Sequence, residues 1–89
     1  MSHLQSQIHV AMGEAQRARQ KEREAAEGLR ARQHEYETAN LHGREKQITR
    51  ARAALAAAQA AYEAAKRDVQ RLDDKSEEII QAQVRAAYM

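Results

Sequence analysis

The chain contains no cysteine, proline, tryptophan or phenylalanine, and it has three glycines and three tyrosines in 89 residues. Without cysteine it can form neither a disulfide nor a thiolate metal site. Without proline, no residue removes a backbone N–H donor from a helix. Because most of its hydrophobic residues are alanine, any core must be thin and must bury little area per residue. We therefore expect that a partner or a second copy contributes to its stability.

The sequence also lacks a long apolar run. No stretch approaches the roughly 18 apolar residues that a membrane span requires. Residues 1–5 show no cationic start followed by an apolar segment, which a cleavable signal peptide would have. We expect a cytoplasmic protein, or one that is exported without a cleavable signal peptide.

Charge of a single sign is also absent. The formal net charge is +2, with 31% of the residues charged and both signs mixed along the chain. A protein dedicated to polyanions usually carries a clear excess of positive charge. The composition therefore weighs against nucleic acid as the main partner.

What remains is dominated by Ala, Arg, Glu, Gln and Lys, the residues that lose least free energy on entering a helix. The strongest interruption is Asn40-Leu41-His42-Gly43, where Gly43 is expected to end a helix in the left-handed conformation. We predict one domain over residues 1–89. Its first helix covers about 3–40, the turn about 41–44 and the second helix about 45–87.

Both predicted helices carry a narrow apolar seam whose positions alternate by three and four residues, the pattern of a coiled coil. The first helix has Leu4, Ile8, Ala11, Ala15, Ala18, Glu22, Ala25, Leu29, Arg32, Tyr36 and Ala39. The second has Ile48, Ala51, Leu55, Ala58, Tyr62, Ala65, Val69, Leu72, Ser76 and Ile79. The pattern predicts an all-α fold, an antiparallel alanine-rich coiled-coil hairpin.

The register of this hairpin follows from folding the chain about the bond between Gly43 and Arg44. Ala15 then lies opposite Leu72, and Ala18 lies opposite Val69. Most layers pair one large side chain with one small one, which allows close approach of the helices without voids. We expect the charges in the seam to keep their heads in water and to disfavour slipped registers.

Apolar residues exceed the needs of the seam at the end of the hairpin where the two termini meet. There the surplus residues Val10, Met12, Ile80, Val84, Tyr88 and Met89 join Leu4, Ile8 and Ile79. An apolar surplus on an otherwise polar rod is typical of a contact surface, although ordinary packing at a chain end would also account for it. The predicted partner-binding residues are Leu4, Ile8, Met12, Ile79, Ile80, Val84 and Tyr88.

A second stripe of small residues lies beside the seam of the second helix, at Ala54, Ala57, Ala61 and Ala64. Alanine is the best helix former, and that preference alone could explain the stripe. If it is a contact surface instead, a second copy could pack against it. Two hairpins would then form a homodimeric four-helix bundle.

Positive charge gathers near the turn, where the residues that could contact phosphates are Arg44, Lys46, Arg50 and Arg52. Neighbouring glutamates make a solvated face of mixed charge the simpler interpretation. No aromatic residue is interleaved to stack on bases. A small dimeric nucleic-acid-binding regulator is therefore kept only as the alternative.

Nothing in the sequence points to an enzyme, a cofactor or a metal site. There is no thiol nucleophile and no glycine-rich phosphate loop. The four histidines do not form the i,i+4 pair of a metal site on one helix. We therefore expect neither catalysis nor a bound cofactor.

Three known groups of proteins show some likeness. Leu41-His42-Gly43 between two helices resembles the Trp-x-Gly turn of the small helical-hairpin proteins of the type VII export system, with leucine in place of tryptophan. The alanine-rich hairpin is similar in architecture to the plasmid copy-control protein that dimerises and binds paired RNA loops. In size and polarity, this chain resembles the coiled-coil accessory proteins and chaperones of type III secretion and flagellar export.

Taken together, the residues favour a non-enzymatic module for protein–protein interaction. We expect an accessory protein or chaperone, for example of a secretion or export assembly, that binds its partner through the apolar termini end. Fold alone does not fix function, so the partner's identity stays open at this point.

Overall fold

The computed structural model describes the backbone of residues 2–88 and the side chains of residues 6–88. It has two α-helices, α1 over Ser2–His42 and α2 over Glu45–Tyr88. The molecule measures 67 × 16 × 13 Å. At a rise of about 1.5 Å per residue, α2 alone accounts for about 66 Å. The two helices therefore lie side by side over their whole length, as an antiparallel hairpin.

The core of the hairpin follows the predicted seam. Among the side chains that the structure describes, every seam position is buried or half-buried except Arg32. The buried residues are Ala11, Ala15, Ala18 and Leu72. Arg32 leaves the seam and pairs with Glu35 at 2.6 Å on its own helix. The all-α coiled-coil prediction is confirmed, and so is the expectation that its core is thin.

Contacts between the helices agree with the predicted register. Ala15, Ala18 and Leu72 form one buried cluster, and Val69 packs against it. These are the large and small partners expected from folding the chain about the turn. Ion pairs also join the helices on both flanks of the seam, with Arg19 Nη2 2.6 Å from Asp73 Oδ1 and Lys75 Nζ 3.8 Å from Glu14 Oε2.

The turn is shorter than predicted, and its glycine works differently. Leu41 and His42 belong to α1, so only Gly43 and Arg44 connect the helices. Gly43 does not take a positive φ, so the expected left-handed helix end was wrong. Its N–H donates to the Ala39 carbonyl at 2.6 Å, and a Cβ built on Gly43 would lie 2.6 Å from that oxygen. Close approach of the backbone is what requires glycine here.

Helix α2 begins with a cap that the sequence analysis did not identify. Gln47 accepts a hydrogen bond from the backbone N–H of Arg44 through Oε1, at 2.9 Å. This is one of the two hydrogen bonds of a capping box, in which the side chain of the third helical residue accepts from the backbone N–H of the residue that precedes the helix. The cap fixes where α2 starts, and with it the position of every later residue on the helix.

Candidate partner-binding site

The antiparallel fold places both chain termini at one end of the rod, where large apolar side chains remain exposed. Ile80, Val84 and Tyr88 follow one another at intervals of four residues on α2, and Met12 lies on α1. Their exposed fractions are 52% for Met12, 46% for Ile80, 50% for Val84 and 88% for Tyr88. We call these four residues the apolar patch.

The apolar patch lies on one flank of the hairpin. Farther from the termini, the same flank is polar. On that flank Arg19 of α1 pairs with Asp73 of α2. Met12 precedes Arg19 by one heptad and Ile80 follows Asp73 by one heptad. The register that joins the ion pair therefore also places Met12 opposite Ile80. An exposed apolar pair takes the place of the ion pair, and the surface changes from polar to apolar there.

The remaining predicted partner-binding residues divide into two groups. Ile8 and Ile79 are half-buried at seam positions, so only part of each side chain is exposed. The side chain of Leu4 lies outside the described residues. The structure thus brings together Met12, Ile80 and Val84 as the exposed part of the predicted set, with Tyr88 at the end of α2.

A shallow groove of about 380 Å³ lies on the other flank of the same end. Val10, which was not among the predicted partner-binding residues, is 58% exposed and lines it together with Ile79 and Lys75. Val10 does not fit the seam periodicity, and its neighbours in sequence are polar or small. The sequence counts Val10 in the apolar surplus of this end, and the structure shows that it lines the groove with Ile79 of α2.

Acidic residues border the patch on α2. Asp74 accepts a hydrogen bond from Gln70 at 3.0 Å, and Glu77 accepts one from Gln81 at 3.4 Å. These contacts stay within one helix and leave the carboxylates at the surface. A polar rim around an apolar centre is the usual composition of a protein–protein interface.

The basic region around the turn is only partly available for a partner. The Arg52 guanidinium lies 6.0 Å from the centre of the Tyr36 ring. Hydrogen bonds from Asn40 and Arg52, together with the positive charge of Arg52, lower the pKa of the Tyr36 hydroxyl. Arg52 therefore has a partner within the hairpin, although it is exposed, as Arg44, Lys46 and Arg50 are.

The alanine stripe beside the seam is mostly at the surface. Ala57, Ala61 and Ala64 are exposed, and Ala54 is half-buried. From Ala54 to Ala64 these stripe positions of α2 carry only methyl side chains, so the stripe itself is smooth. The stripe has the shape that close helix packing needs, but alanine side chains supply little apolar area.

No known protein family, curated protein or solved structure matches this chain.

Other kinds of site find little support in the part of the chain that the structure describes. No three histidine, aspartate or glutamate side chains there come together as metal ligands would. No helix in the described residues is long and apolar enough to cross a membrane. The apolar patch is the feature of the described surface that most resembles a binding site.

Proposed function

We propose that this protein is a non-enzymatic helical-hairpin accessory protein or chaperone that binds another protein through the apolar patch. The observation that carries the proposal is the exposure of Met12, Ile80 and Val84, each about half open to solvent, at the termini end. Among the described residues, the exposed large apolar side chains all lie at this end except Leu41, which lies next to the turn. Burying such side chains contributes about 25 cal/mol for each Å² of apolar surface removed from water. An apolar helix of a partner could lie across the patch and cover it.

The proposal is consistent with the thin core of the hairpin. Among the described residues, three of the four buried ones are alanines. Such a core gains little from burial, so a partner that covers further apolar area would add to the stability of the folded state. An accessory protein of this kind would be most stable when bound.

Replacing Ile80 by aspartate tests the proposal. We expect Ile80→Asp to lower partner binding at least about tenfold, because a charge placed in an apolar contact loses its hydration, and 1.4 kcal/mol already corresponds to tenfold. The measurement compares the proteins that tagged wild-type and variant hairpins capture from cells of the native source. Affinity for each captured protein is then measured with the purified pair.

The matched control is Gln81→Asp, which introduces the same charge at the next residue of α2, outside the patch. Gln81 is exposed. Circular dichroism should show the same helix content for both variants and the wild type. A partner that binds wild type, Ile80→Asp and Gln81→Asp with equal affinity would refute the assignment of the patch as the binding site.

The alternative is a nucleic-acid-binding regulator that uses the turn region. It has one supporting observation: none of the ion pairs described for residues 6–88 involves Arg44, Lys46 or Arg50. Against it, Arg52 is engaged with Tyr36. This function would require binding to RNA or DNA that weakens steeply as salt rises, because phosphate contacts release counterions.

A further inference from the structure

The side of α2 that faces away from α1 carries a second series of positions with the spacing of a coiled-coil seam. Its residues alternate by four and three, as the inner seam does. Every one of them is exposed. We call this series the outer face, and it consists of Lys46, Arg50, Ala53, Ala57, Ala60, Ala64, Arg67, Arg71, Asp74 and Glu78.

Charge is distributed unevenly along the outer face. Lys46 and Arg50 form a basic pair near the turn, and Asp74 and Glu78 form an acidic pair toward the termini. Each pair has the same spacing of four residues. At about 1.5 Å per residue, Arg50 and Asp74 lie about 36 Å apart on one straight helix. They are therefore too distant to pair within the chain.

These four charges are available for a partner. Among the described residues, no ion pair involves Lys46, Arg50, Asp74 or Glu78. Asp74 accepts one hydrogen bond, from the neutral Gln70 side chain. The outer face therefore presents a basic pair near the turn, then four exposed alanines, then Arg67 and Arg71, and last the acidic pair.

We propose that a second copy of the chain packs against the outer face, with the two α2 helices antiparallel around a twofold axis near the level of Tyr62. Lys46 then meets Glu78 of the partner subunit, and Arg50 meets Asp74 of the partner subunit. The twofold axis repeats both contacts, since a symmetric interface uses the same surface on each subunit. The product is a four-helix assembly of two hairpins.

Charge selects both the direction and the register of this pairing. Parallel α2 helices would bring each acidic pair against its own copy. An antiparallel register shifted by one heptad, with Ala53 against Ala64, would place Lys46 against Arg71 and Arg50 against Arg67. In the proposed register Arg71 and Arg67 face Ala53 and Ala57, where their aliphatic stems can cover the alanines.

The surface area of the hairpin also favours a second copy. The chain exposes 7080 Å². A compact monomer of 10.1 kDa would expose about 5,300 Å² by the usual scaling of area with mass. The rod therefore leaves about 1,800 Å² more than a compact fold would, and a stable interface needs about 800 Å² from each subunit. A second hairpin packed along the outer face would cover part of this excess.

The proposed dimer does not depend on the proposed function, and it leaves the apolar patch free to bind a partner. With Glu78 level with Lys46 of the partner subunit, the residues after Ile80 extend past the start of the other α2. Val84 and Tyr88 then project from each end of the assembly. Loss of partner binding in Ile80→Asp and loss of self-association in an outer-face variant are separate results.

Charge reversal and complementation test the proposal, using the full chain at low ionic strength. The basic-reversed variant is Lys46→Glu with Arg50→Glu, and the acidic-reversed variant is Asp74→Lys with Glu78→Lys. We expect the wild type to sediment as a dimer in analytical ultracentrifugation and each variant alone to be a monomer. An equimolar mixture of the two variants should form a one-to-one heterodimer, because every contact across the twofold axis then joins opposite charges.

The control is Arg17→Glu with Arg30→Glu, which changes the net charge by the same amount as the basic-reversed variant, but on α1. Both arginines are exposed and lie outside the ion pairs of the described residues. The control should remain dimeric, and the wild-type dimer should weaken as salt screens the charges. A wild type that stays monomeric at every concentration, a reversed variant that still dimerises, or a mixture that fails to form heterodimers would each overturn the proposal.

Discussion

At the scale of single residues, the three glycines have different surroundings. A Cβ built on Gly43 would lie 2.6 Å from the Ala39 carbonyl oxygen and 3.1 Å from Gln47 Oε1. At Gly28 nothing lies within 4 Å of the built Cβ. Gly43 therefore allows the close contact that closes the turn, whereas Gly28 is an ordinary helix position that carries the entropic cost of glycine.

We therefore predict opposite effects of the same substitution. Gly43→Ala should lower the free energy of unfolding by about 1–3 kcal/mol, because the new methyl group crowds a backbone carbonyl. Gly28→Ala should raise it by about 1 kcal/mol, because alanine is the better helix former. Thermal and urea unfolding followed by circular dichroism gives both values. Stabilisation by Gly43→Ala would show that the turn tolerates a side chain.

At the scale of the helices, the described part of the seam contains one buried side-chain polar atom without a hydrogen-bond partner. Ser76 Oγ is buried and makes no hydrogen bond in the structure. Ser76 occupies the seam position that the register sets opposite Ala11, which is 3% exposed. A hydroxyl removed from water without a compensating bond lowers stability. Here it interrupts the apolar seam of α2 between the seam positions Leu72 and Ile79.

Ser76→Ala should therefore stabilise the hairpin. The expected gain is about 1–2 kcal/mol, from removing the unsatisfied hydroxyl and from the higher helix propensity of alanine. Ser6→Ala is the control, because Ser6 is exposed and only the propensity changes there. Chemical unfolding with both variants at one protein concentration measures the difference. A destabilising Ser76→Ala would mean that the hydroxyl has a partner in solution.

At the scale of the whole molecule, the register decides which side chains form every surface described above. It rests on the cluster of Ala15, Ala18 and Leu72 with Val69 packed against it. Because no cysteine occurs in the chain, introduced pairs can report the register without interference. Seam positions that face each other across the two helices lie close enough for a disulfide, and positions offset by one heptad do not.

We predict that Ala18→Cys with Val69→Cys forms an intrachain disulfide under mild oxidation. Ala18→Cys with Tyr62→Cys, shifted by one heptad, should not. Non-reducing electrophoresis and mass spectrometry of peptides, at low protein concentration, identify the linked residues. Efficient linkage of the shifted pair would contradict the register, and with it the placement of Met12 opposite Ile80.

Much of the fold is determined by the sequence alone. The composition is rich in alanine and has no proline, and the three-four spacing follows both helices between Ile8 and Ile79. Together these features predict two helices and a narrow seam, because local propensity and periodicity agree. The surplus of apolar residues at Ile80, Val84 and Tyr88 is also visible before folding. These are properties of a helix face, which the order of residues fixes directly.

Tertiary structure decides what depends on the other helix. The ion pairs of Arg19 with Asp73 and of Glu14 with Lys75 form only where the register brings α1 and α2 together. Val10 lines a groove with Ile79 because the same register sets the two side chains on one flank. A sequence specifies which face of a helix is apolar, but the distance and register between two helices determine which residues share a surface.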